Sequence, residues 1–282
     1  MNQRCEFLPP KEYDWESFLA VAAKEGWRVP AAEIELFRGP FASGALALHC
    51  GGSFAGMVTF VNYGATAWIG NLIVQPSLRG QGLGRALFER ALCELQKRGA
   101  ASVWLTASET GFPLYAAQGF RTIGPVERWV LQTRPGVRGT DPAGNAECPC
   151  AGELERIFRQ ADAGVWGGQR ILLDHLLIGG RLFSCGQQRA LLQQEPGRGI
   201  LGPWYGAGRP GDEQCKLLNS IRDAAKCCEE LVADVLGGRI ASGLMEKAGF
   251  VCSGTTRLMV LGDTASINLQ SLVALASLGS VG

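Results

Sequence analysis

The stretch Arg79-Gly80-Gln81-Gly82-Leu83-Gly84 lies between an apolar run at residues 69–74 and an amphipathic run at residues 83–98. This order predicts a strand, a glycine loop and a helix. Glycine accepts backbone angles that other residues avoid, and it lets a ligand approach the main chain closely. Backbone N–H groups of such a loop can converge on a pyrophosphate at the positive end of the following helix. The sequence therefore predicts that this stretch binds a phosphate-bearing cofactor.

Hydrophobic periodicity predicts alternating helices and strands around the loop. Helices are predicted at residues 14–25, 31–37, 83–98 and 113–118. Strands are predicted at residues 45–50, 54–63, 67–74, 102–106 and 122–131. The helix after the loop has one apolar face, and its other face is charged, as expected for a helix that packs on a sheet.

A repeat divides the 282 residues, which exceed the usual size of one domain. A shift of 130 residues, with no gap, aligns six residues of the first half with six of the same type in the second half. The first six are Leu114, Gly119, Phe120, Gly124, Val130 and Leu131, and their counterparts are Leu244, Gly249, Phe250, Gly254, Val260 and Leu261. The same shift places the glycine loop on Arg-Pro-Gly-Asp-Glu-Gln at residues 209–214, and it places Tyr115 on Met245. Gly-Phe pairs are common, so a chance match is the alternative. The shared period favours a degenerate duplication.

We therefore predict a first domain at residues 1–132, a linker rich in Gly and Pro at residues 133–150, and a second domain at residues 151–282. The second copy keeps the scaffold and loses the glycine loop. A strand is predicted at residues 231–236, and the apolar tail at residues 267–278 is expected to pack as a closing helix.

Composition and charge argue against several classes of function. A net charge of +1 without a dense Lys/Arg cluster gives little support to nucleic-acid or anionic-membrane binding. Apolar stretches fall short of the roughly 20 residues of a membrane span, and the first ten residues lack the apolar core of an export signal. We expect a cytoplasmic protein that binds neither nucleic acid nor membranes.

Ten cysteines raise the alternatives of a disulfide framework and a metal site. The large chain lacks an export signal, and Cys50, Cys93 and Cys252 lie in apolar or helical runs, so reduced thiols are expected. Two groups could in principle ligate zinc, namely Cys148-Pro149-Cys150 and the neighbours Cys227 and Cys228. Their spacing matches no closed four-ligand pattern, and His is nearly absent. Structural thiols, and no metal, are therefore expected.

The motifs on either side of the loop form an ordered series. It runs Asn71-Leu72-Ile73-Val74, Gln75-Pro76, Arg79-x-x-Gly82-x-Gly84, a helix, a strand, and Leu114-Tyr115-x-x-x-Gly119-Phe120. In this order and spacing the series resembles the core of the GNAT superfamily of acetyl-CoA-dependent N-acetyltransferases, over about residues 68–131. The whole chain is similar to bacterial tandem members whose second copy lacks the loop. The resemblance implies an α/β (α+β) fold of two GNAT-like domains, each a mixed, mostly antiparallel sheet flanked by helices.

The resemblance also implies roles for particular residues. Tyr115 would act as the general acid that gives its phenolic proton to the coenzyme A sulfur, with a half-buried ring packed beside Phe120 as the alternative. The amide of Ile73 or Val74 would bind the acetyl carbonyl at a strand that splays from its neighbour. Acetyl-CoA would be bound by ten residues: Leu72, Ile73, Val74, Arg79, Gly80, Gln81, Gly82, Leu83, Gly84 and Ser108.

The chain departs from the common family pattern in two places. It has Ser108 where many members carry Asn, and Gly111 where they carry Ala, but the serine hydroxyl can still donate a hydrogen bond. No general base is predicted. Glu35 and Glu109 are candidates by location only, and His49 and His175 lie in apolar surroundings typical of ordinary histidines.

The resemblance implies an N-acetyltransferase that moves an acetyl group from acetyl-CoA to a primary amine, with a small molecule as the expected acceptor. The alternatives are a non-catalytic acyl-CoA-binding sensor or assembly module and a protein lysine or N-terminal acetyltransferase. In the second copy, Trp204 and Tyr205 fall where Val74 and Gln75 lie in the first, so we expect that copy not to hold coenzyme A. It either forms one wall of the acceptor pocket or covers apolar surface of the first domain.

Overall fold

The computed structural model describes residues 4–133, 151–206 and 211–282. Its helices are α1 Glu12–Lys24, α2 Ala31–Arg38, α3 Leu83–Lys97, α4 Phe112–Ala117, α5 Ala151–Trp166, α6 Leu172–Gly179, α7 Asp212–Ala224 and α8 Arg239–Lys247. Its strands are β1 Cys5–Leu8, β2 Ala45–Cys50, β3 Ser53–Asn62, β4 Thr66–Val74, β5 Ser102–Ala107, β6 Arg121–Gln132, β7 Arg181–Cys185, β8 Gln188–Glu195, β9 Arg198–Tyr205, β10 Glu230–Leu236, β11 Val251–Gly262 and β12 Leu272–Ala274.

The elements predicted in the first half are confirmed, with ends that differ by one or two residues. The sequence did not predict β1. Helix α3 follows the predicted stripe, because Leu87, Phe88, Ala91 and Leu95 are fully buried. It packs across β3 and β4 and so fixes the glycine loop, which precedes it, at the end of β4. Most of the predicted linker, residues 134–150, lies outside the described residues, as do Cys148, Cys150, Arg209 and Pro210.

All of these strands join in one mixed sheet, in the order β1-β2-β3-β4-β5-β11-β6-β10-β12-β9-β8-β7. The predicted α/β class is thus confirmed, with a mostly antiparallel sheet. Only β4–β5 and β9–β10 are parallel pairs among the described strands. The two halves also exchange strands, since β11 pairs with β5 of the first half and β6 pairs with β10 of the second. Each half therefore completes its sheet with a strand from the other.

The repeat found in the sequence recurs in the element order. Strand β11 has the bounds of β6 shifted by 130 residues, and α7, β10 and α8 follow one another as α3, β5 and α4 do. In each half the parallel pair is short. Strand β4 pairs with β5 only from Thr66 to Trp68, and β9 pairs with β10 only from Arg198 to Ile200. Beyond those residues each pair of strands diverges.

The two openings differ in what lies in them. In the second half, β12 lies between β9 and β10, where Leu272 pairs with Tyr205, and Ala274 pairs with both Trp204 and Val235. In the first half no described strand lies between β4 and β5 beyond Trp68. The chain thus fills its second opening with its own backbone and leaves the first one free.

The closing helix predicted at residues 267–278 is wrong. These residues form a short 3-10 turn, strand β12 and an irregular segment. Diverging strands expose backbone N–H and C=O groups that need partners, and a strand can supply them whereas a helix cannot. This tertiary requirement overrides the local apolar pattern.

The expectation that Cys50 is reduced is also wrong, because Cys50 forms a disulfide with Cys5. Strand β1, which the sequence did not predict, pairs with β2 and places these residues directly opposite each other, with a Cα–Cα distance of 4.2 Å. Cys93 and Cys252 are free, as expected.

None of the helices in the described parts of the chain is both long and apolar enough to cross a membrane. In those same parts, no three His, Cys, Asp or Glu side chains are grouped so that they could hold a metal ion.

After β12, residues 275–282 run between the two halves of the molecule. Gln193 donates from Nε2 to the carbonyl of Ala276, and Tyr63 donates its hydroxyl proton to the carbonyl of Val281 over 2.7 Å. Arg170 stacks on Tyr63 and donates to the carbonyl of Gly282 over 3.2 Å. This segment, residues 275–282, therefore connects the filled opening of the second half to strand β4 of the first.

Gly70 allows this close approach, and its substitution gives a test. A Cβ atom on Gly70 would lie 2.5 Å from the Cα atom of Ser280 and 2.9 Å from the carbonyl oxygen of Gly279. We expect Gly70→Ala to lower the free energy of unfolding by about 1–3 kcal/mol, because backbone atoms must shift to admit the methyl group. Urea unfolding measures this loss. Gly124→Ala is the matched control in a strand, since no atom lies within 4 Å of its added Cβ, and an equal loss in both variants would contradict the packing argument.

Candidate active site

The opening between β4 and β5 forms a cleft of about 700 Å³. Its lining combines the end of β4, the glycine loop, the turn before α4 and the chain between α1 and α2. Nine of the ten residues predicted to bind acetyl-CoA line it, and so does Tyr115. The nine are Leu72, Ile73, Val74, Arg79, Gly80, Gly82, Leu83, Gly84 and Ser108. Gln81 is exposed and is not among the lining residues.

The glycine loop is open toward the cleft. Gly80 and Gly82 both have φ of +78°, in the left-handed region that favours glycine, and no atom lies within 4 Å of a Cβ built on either. Gly82 directly precedes α3, and the first turn of a helix leaves backbone N–H groups without intrahelical acceptors. The loop can therefore present several N–H groups to an anion, with the positive end of the helix dipole behind them.

Two predicted ligands have protein partners in the cleft. Arg79 donates from Nε to the carbonyl of Val74 over 3.1 Å and pairs through Nη2 with Glu25 at 2.7 Å. Its guanidinium thus holds the loop against the end of β4. The Ser108 hydroxyl oxygen accepts from the N–H of Gly111 over 3.1 Å, which fixes the turn before α4. Its Oγ also lies 3.1 Å from Oγ1 of Thr110, where either hydroxyl can donate, so the serine proton can reach a ligand when Thr110 is the donor of that pair.

Tyr115, on α4, lines the cleft. Its ring packs against Phe88, with 5.1 Å between the ring centroids, and it is 9% exposed. Burial raises the pKa of the Tyr115 phenol to about 12, because the phenolate would lose its hydration. The hydroxyl therefore keeps its proton throughout the physiological pH range, as a proton donor must.

Asn71 is a site residue to which the sequence motif assigned no role. It lies in β4 at an irregularity of the β3–β4 pairing, and its φ of +52° is unusual for a residue other than glycine. Its Nδ2 atom is buried and has no hydrogen-bond partner among the described residues. Asn71 is among the residues that line the cleft, so its irregular backbone shapes the wall there. An Asn at the end of an apolar strand was the available signal.

The other end of the cleft, which we call the acceptor end, is built by both halves. The first half contributes Trp27, Arg28 and Val29 from the chain between α1 and α2, Glu33 of α2, and Arg128 of β6. The second half contributes Thr256 of β11 together with Leu278 and Gly279 of the segment 275–282. Of the two roles considered for the second half, the structure thus favours the wall of the cleft.

Glu33 is the buried acid of the acceptor end. It is 4% exposed, its Oε1 accepts from the N–H of Leu278 over 3.3 Å, and its Oε2 accepts from the hydroxyl of Ser280. Burial raises the pKa of Glu33 from 4.5 to about 7, partly offset by these two hydrogen bonds. Sequence patterns did not identify Glu33 as a site residue, although it lies four positions before buried Phe37 on the same helix face.

The raised pKa predicts a pH dependence of stability. The favourable contribution of protonated Glu33 is complete below pH 4.5 and is lost as the pH rises through about 7. The shift corresponds to about 3 kcal/mol. We expect Glu33→Gln, which carries no charge, to gain stability relative to the wild type by up to this amount between pH 5 and pH 8. Urea unfolding at both pH values measures the gain, and Glu35→Gln controls for charge removed from the same helix. Parallel pH profiles for Glu33→Gln and the wild type would contradict it.

The four residues considered earlier as base candidates lie elsewhere. Glu35 is exposed and pairs with Arg38, and Glu109 is exposed and pairs with Arg257. His49 is buried against Asp14, with 2.7 Å between Nε2 and Oδ1. His175 packs edge-on against Phe41. None of the four is among the residues that line the cleft in the described structure.

Comparison with known families agrees with this geometry. The family model of the acetyltransferase (GNAT) domain matches residues 24–129. Residues 24–129 are thus similar to a GNAT domain. The matched region contains β4, the glycine loop, α3, β5 and Tyr115, which are the elements that build the cleft.

Relatives of known sequence match over a short stretch. Over 53 residues the chain is 43% identical to [ribosomal protein bS18]-alanine N-acetyltransferase of Escherichia coli (strain K12). That stretch is 18% of this chain and 36% of the relative. The chain thus spans about a third of the length of the curated relatives it matches.

Solved structures resemble the whole chain. A protein of Pyrococcus horikoshii assigned to the acetyltransferases has a TM-score of 0.74 at 20% identity, covering 97% of this chain and 94% of its own. A tandem GNAT protein from the clavulanic acid biosynthesis pathway has a TM-score of 0.59 at 15% identity, covering 92% and 98%. At these identities the likeness concerns the fold. The fold of the whole chain, including its second half, is therefore one that other proteins share.

Proposed function

We propose that the chain is an acetyl-CoA-dependent N-acetyltransferase with one functional cleft per chain. The observation that carries this proposal is the contrast between the two openings of the sheet. The first is open and combines the glycine loop with Tyr115, whereas the second is filled by β12. Trp204 and Tyr205, at the end of β9, are fully buried beside β12. The second opening therefore leaves no room for a pantetheine arm.

We further propose that residues 1–132 and 151–282 are two copies of one GNAT-like domain, joined through the linker at residues 133–150. The shared register of β6 and β11 and the repeated element order support this division. The exchange of β6 and β11 makes the two copies dependent on each other.

Within the open cleft we assign the binding of acetyl-CoA to three regions. The N–H groups of residues 80–84 bind the pyrophosphate, the free edge of β4 at residues 72–74 binds the pantetheine arm, and Ser108 donates to that arm. Acetyl-CoA supplies an activated thioester. The amide of Ile73 or Val74 stabilises negative charge on the carbonyl oxygen, and Tyr115 donates a proton to the departing sulfur.

The acceptor we propose is a primary amine of a small molecule. The acceptor end is walled by both halves, and the segment 275–282 lies against β4 there, which limits the space for a chain-like substrate. A second candidate is the N-terminal amine of a protein, because the E. coli relative is named for the alanine of a ribosomal protein. An acyl-CoA sensor is disfavoured, since the cleft is open and Tyr115 lines it.

Amine-dependent release of coenzyme A from acetyl-CoA tests this proposal. We expect thiol release from acetyl-CoA only when a primary amine is present, and the panel should include amino acids, aliphatic diamines and a peptide with N-terminal alanine. Turnover of the peptide alone would select the second candidate. Saturable acetyl-CoA binding without transfer to any amine would instead support the sensor.

We also propose a cytoplasmic location, which is supported only by the sequence features described above. A separate experiment tests it. Disulfides are rare in the reducing cytosol, so the state in cells of the disulfide that joins Cys5 and Cys50 tests this location. Alkylation of thiols before cell lysis, followed by peptide mass analysis, measures their state. An oxidised pair in cells would point to a different compartment.

A further inference from the structure

The acceptor end of the cleft holds the buried carboxyl group of Glu33. Two acids line the cleft, Glu25 and Glu33. Glu25 is paired with Arg79 at 2.7 Å and lies near the glycine loop. Glu33 forms no ion pair within the described residues and receives only the two neutral hydrogen bonds from Leu278 and Ser280. It is thus a buried acid without a compensating cation.

The charged groups around Glu33 do not neutralise it. From β6, Arg128 favours the charged form of Glu33, but two hydrogen bonds of 2.7 and 2.6 Å hold its guanidinium on Asp234 of β10, whose charge has the opposite effect on Glu33. Tyr63, after β3, is also close and stays protonated because burial raises its pKa. On α2 itself, Glu35 and Arg38 are exposed and pair with each other. A cation brought into the cleft would therefore be the natural partner of Glu33.

We propose that Glu33 is the general base that takes the proton from the ammonium group of the acceptor. The proposal rests on the proposed acetyltransferase function and adds to it the form in which the acceptor arrives, namely a protonated primary amine. The amine would lie beside Gly70 and Asn71 of β4, which line the cleft together with Glu33.

The protons and electron pairs balance along this route. The ammonium group transfers one proton to the Glu33 carboxylate, which later releases it to water. The freed lone pair forms the C–N bond with the acetyl carbon, and the C–S bond breaks. Tyr115 gives its proton to the sulfur and regains one from the acylated nitrogen. The products are the amide, the thiol and one proton in solution.

The environment of Glu33 suits a base rather than a fixed charge. General bases work best when their pKa lies near the working pH, and burial raises the pKa of Glu33 to about 7. The same carboxyl also links α2 to the segment 275–282 through Leu278 and Ser280. A structural link alone is the competing explanation, and the test must separate the two.

Two surrogate nucleophiles separate them. Methylamine is protonated near neutral pH and needs a base, whereas hydroxylamine is largely neutral and does not. With saturating acetyl-CoA at pH 7, we expect Glu33→Gln to lower methylamine-dependent release of coenzyme A by about 100-fold. Hydroxylamine-dependent release should change by less than about threefold. Glu35→Gln, the exposed neighbour on α2, should leave both rates unchanged.

Either of two results would overturn the proposal. An equal loss with both nucleophiles would make Glu33 a structural link, and no loss with either would leave it without a role in proton transfer. Gln can keep both hydrogen bonds, since its amide accepts from Leu278 and donates to Ser280, so the variant is expected to fold. Calorimetric titration with acetyl-CoA tests the proposed function separately from the role of Glu33. A wild-type protein that does not bind acetyl-CoA would contradict the proposed function, whatever the role of Glu33.

A measurement without any nucleophile completes the test. The infrared difference between pH 5.5 and pH 8.5 should contain a carboxylic C=O band that disappears with a midpoint near pH 7. The band should be absent in Glu33→Gln and present in Glu35→Gln. A wild-type protein that lacks this band does not change the protonation of Glu33 between these pH values, and the proposal would be wrong.

Discussion

A chain that ends at residue 145 is expected to yield no folded protein that binds acetyl-CoA, although it contains the whole glycine loop. The exchange of strands is the reason. Strand β11 lies between β5 and β6, and its residues Leu258, Met259 and Val260 are buried there. Without it, β5 and β6 lose their hydrogen-bonding partner, and the apolar faces that pack on them are exposed to water. Acetyl-CoA binding should fall below detection.

A matched experiment distinguishes missing strands from a broken chain. If residues 1–145 and 146–282 are produced together as two chains, every strand of the sheet is present. We expect this pair to associate, to show the circular dichroism of the intact protein and to bind acetyl-CoA. A short chain that folds alone and binds acetyl-CoA as the intact protein does would show that the first copy is self-sufficient, and the exchange would then have no energetic consequence.

Replacement of Tyr115 by Phe is expected to lower kcat by about 100-fold or more, while the Kd for acetyl-CoA stays unchanged. The substitution removes only the phenolic hydroxyl. The ring contact with Phe88 is retained, so the wall of the cleft should keep its shape. The departing thiolate then leaves without a proton donor. Release of coenzyme A in the presence of an amine measures kcat, and calorimetry measures Kd.

Tyr63→Phe is the control for the loss of a buried hydroxyl in the same half. Its hydroxyl donates to the carbonyl of Val281, and Tyr63 is not among the residues that line the cleft in the described structure. The control should cost about 1 kcal/mol of stability and leave kcat nearly unchanged. Similar kcat values for Tyr115→Phe and the wild type would remove the acid role and leave Tyr115 as a packed ring.

Much of the first half follows from local sequence patterns. The apolar stripe of α3, the glycines before it and the alternation along β3 and β4 each determine one element, and they place the loop at the end of a strand. The cleft residues at 72–84 could therefore be predicted, because they are close in sequence and their chemistry depends on backbone N–H groups. The repeat at 130 residues likewise predicted a strand at residues 231–236, which is observed as β10 at Glu230–Leu236.

The features that the sequence did not predict depend on contacts between distant residues. Strand β12 reads as an apolar helix until the opening between β9 and β10 is known to need a partner. Cys5 and Cys50 meet only because β1 pairs with β2. Glu33 is an ordinary helix residue by pattern, and it becomes a buried acid only where the segment 275–282, some 245 residues later, packs on α2. No local pattern encodes such contacts.

Calorimetric titration with acetyl-CoA of the wild type, Gly82→Trp and Gly99→Trp tests the central claim most directly. Gly82 and Gly99 precede and follow the same helix, have φ of +78° and +79°, and have open space around an added Cβ, so both variants carry the same backbone strain. Only Gly82 lines the cleft. We predict one acetyl-CoA bound per chain in the wild type and in Gly99→Trp, and none in Gly82→Trp. Binding that survives in Gly82→Trp, or two sites per chain, would contradict the account.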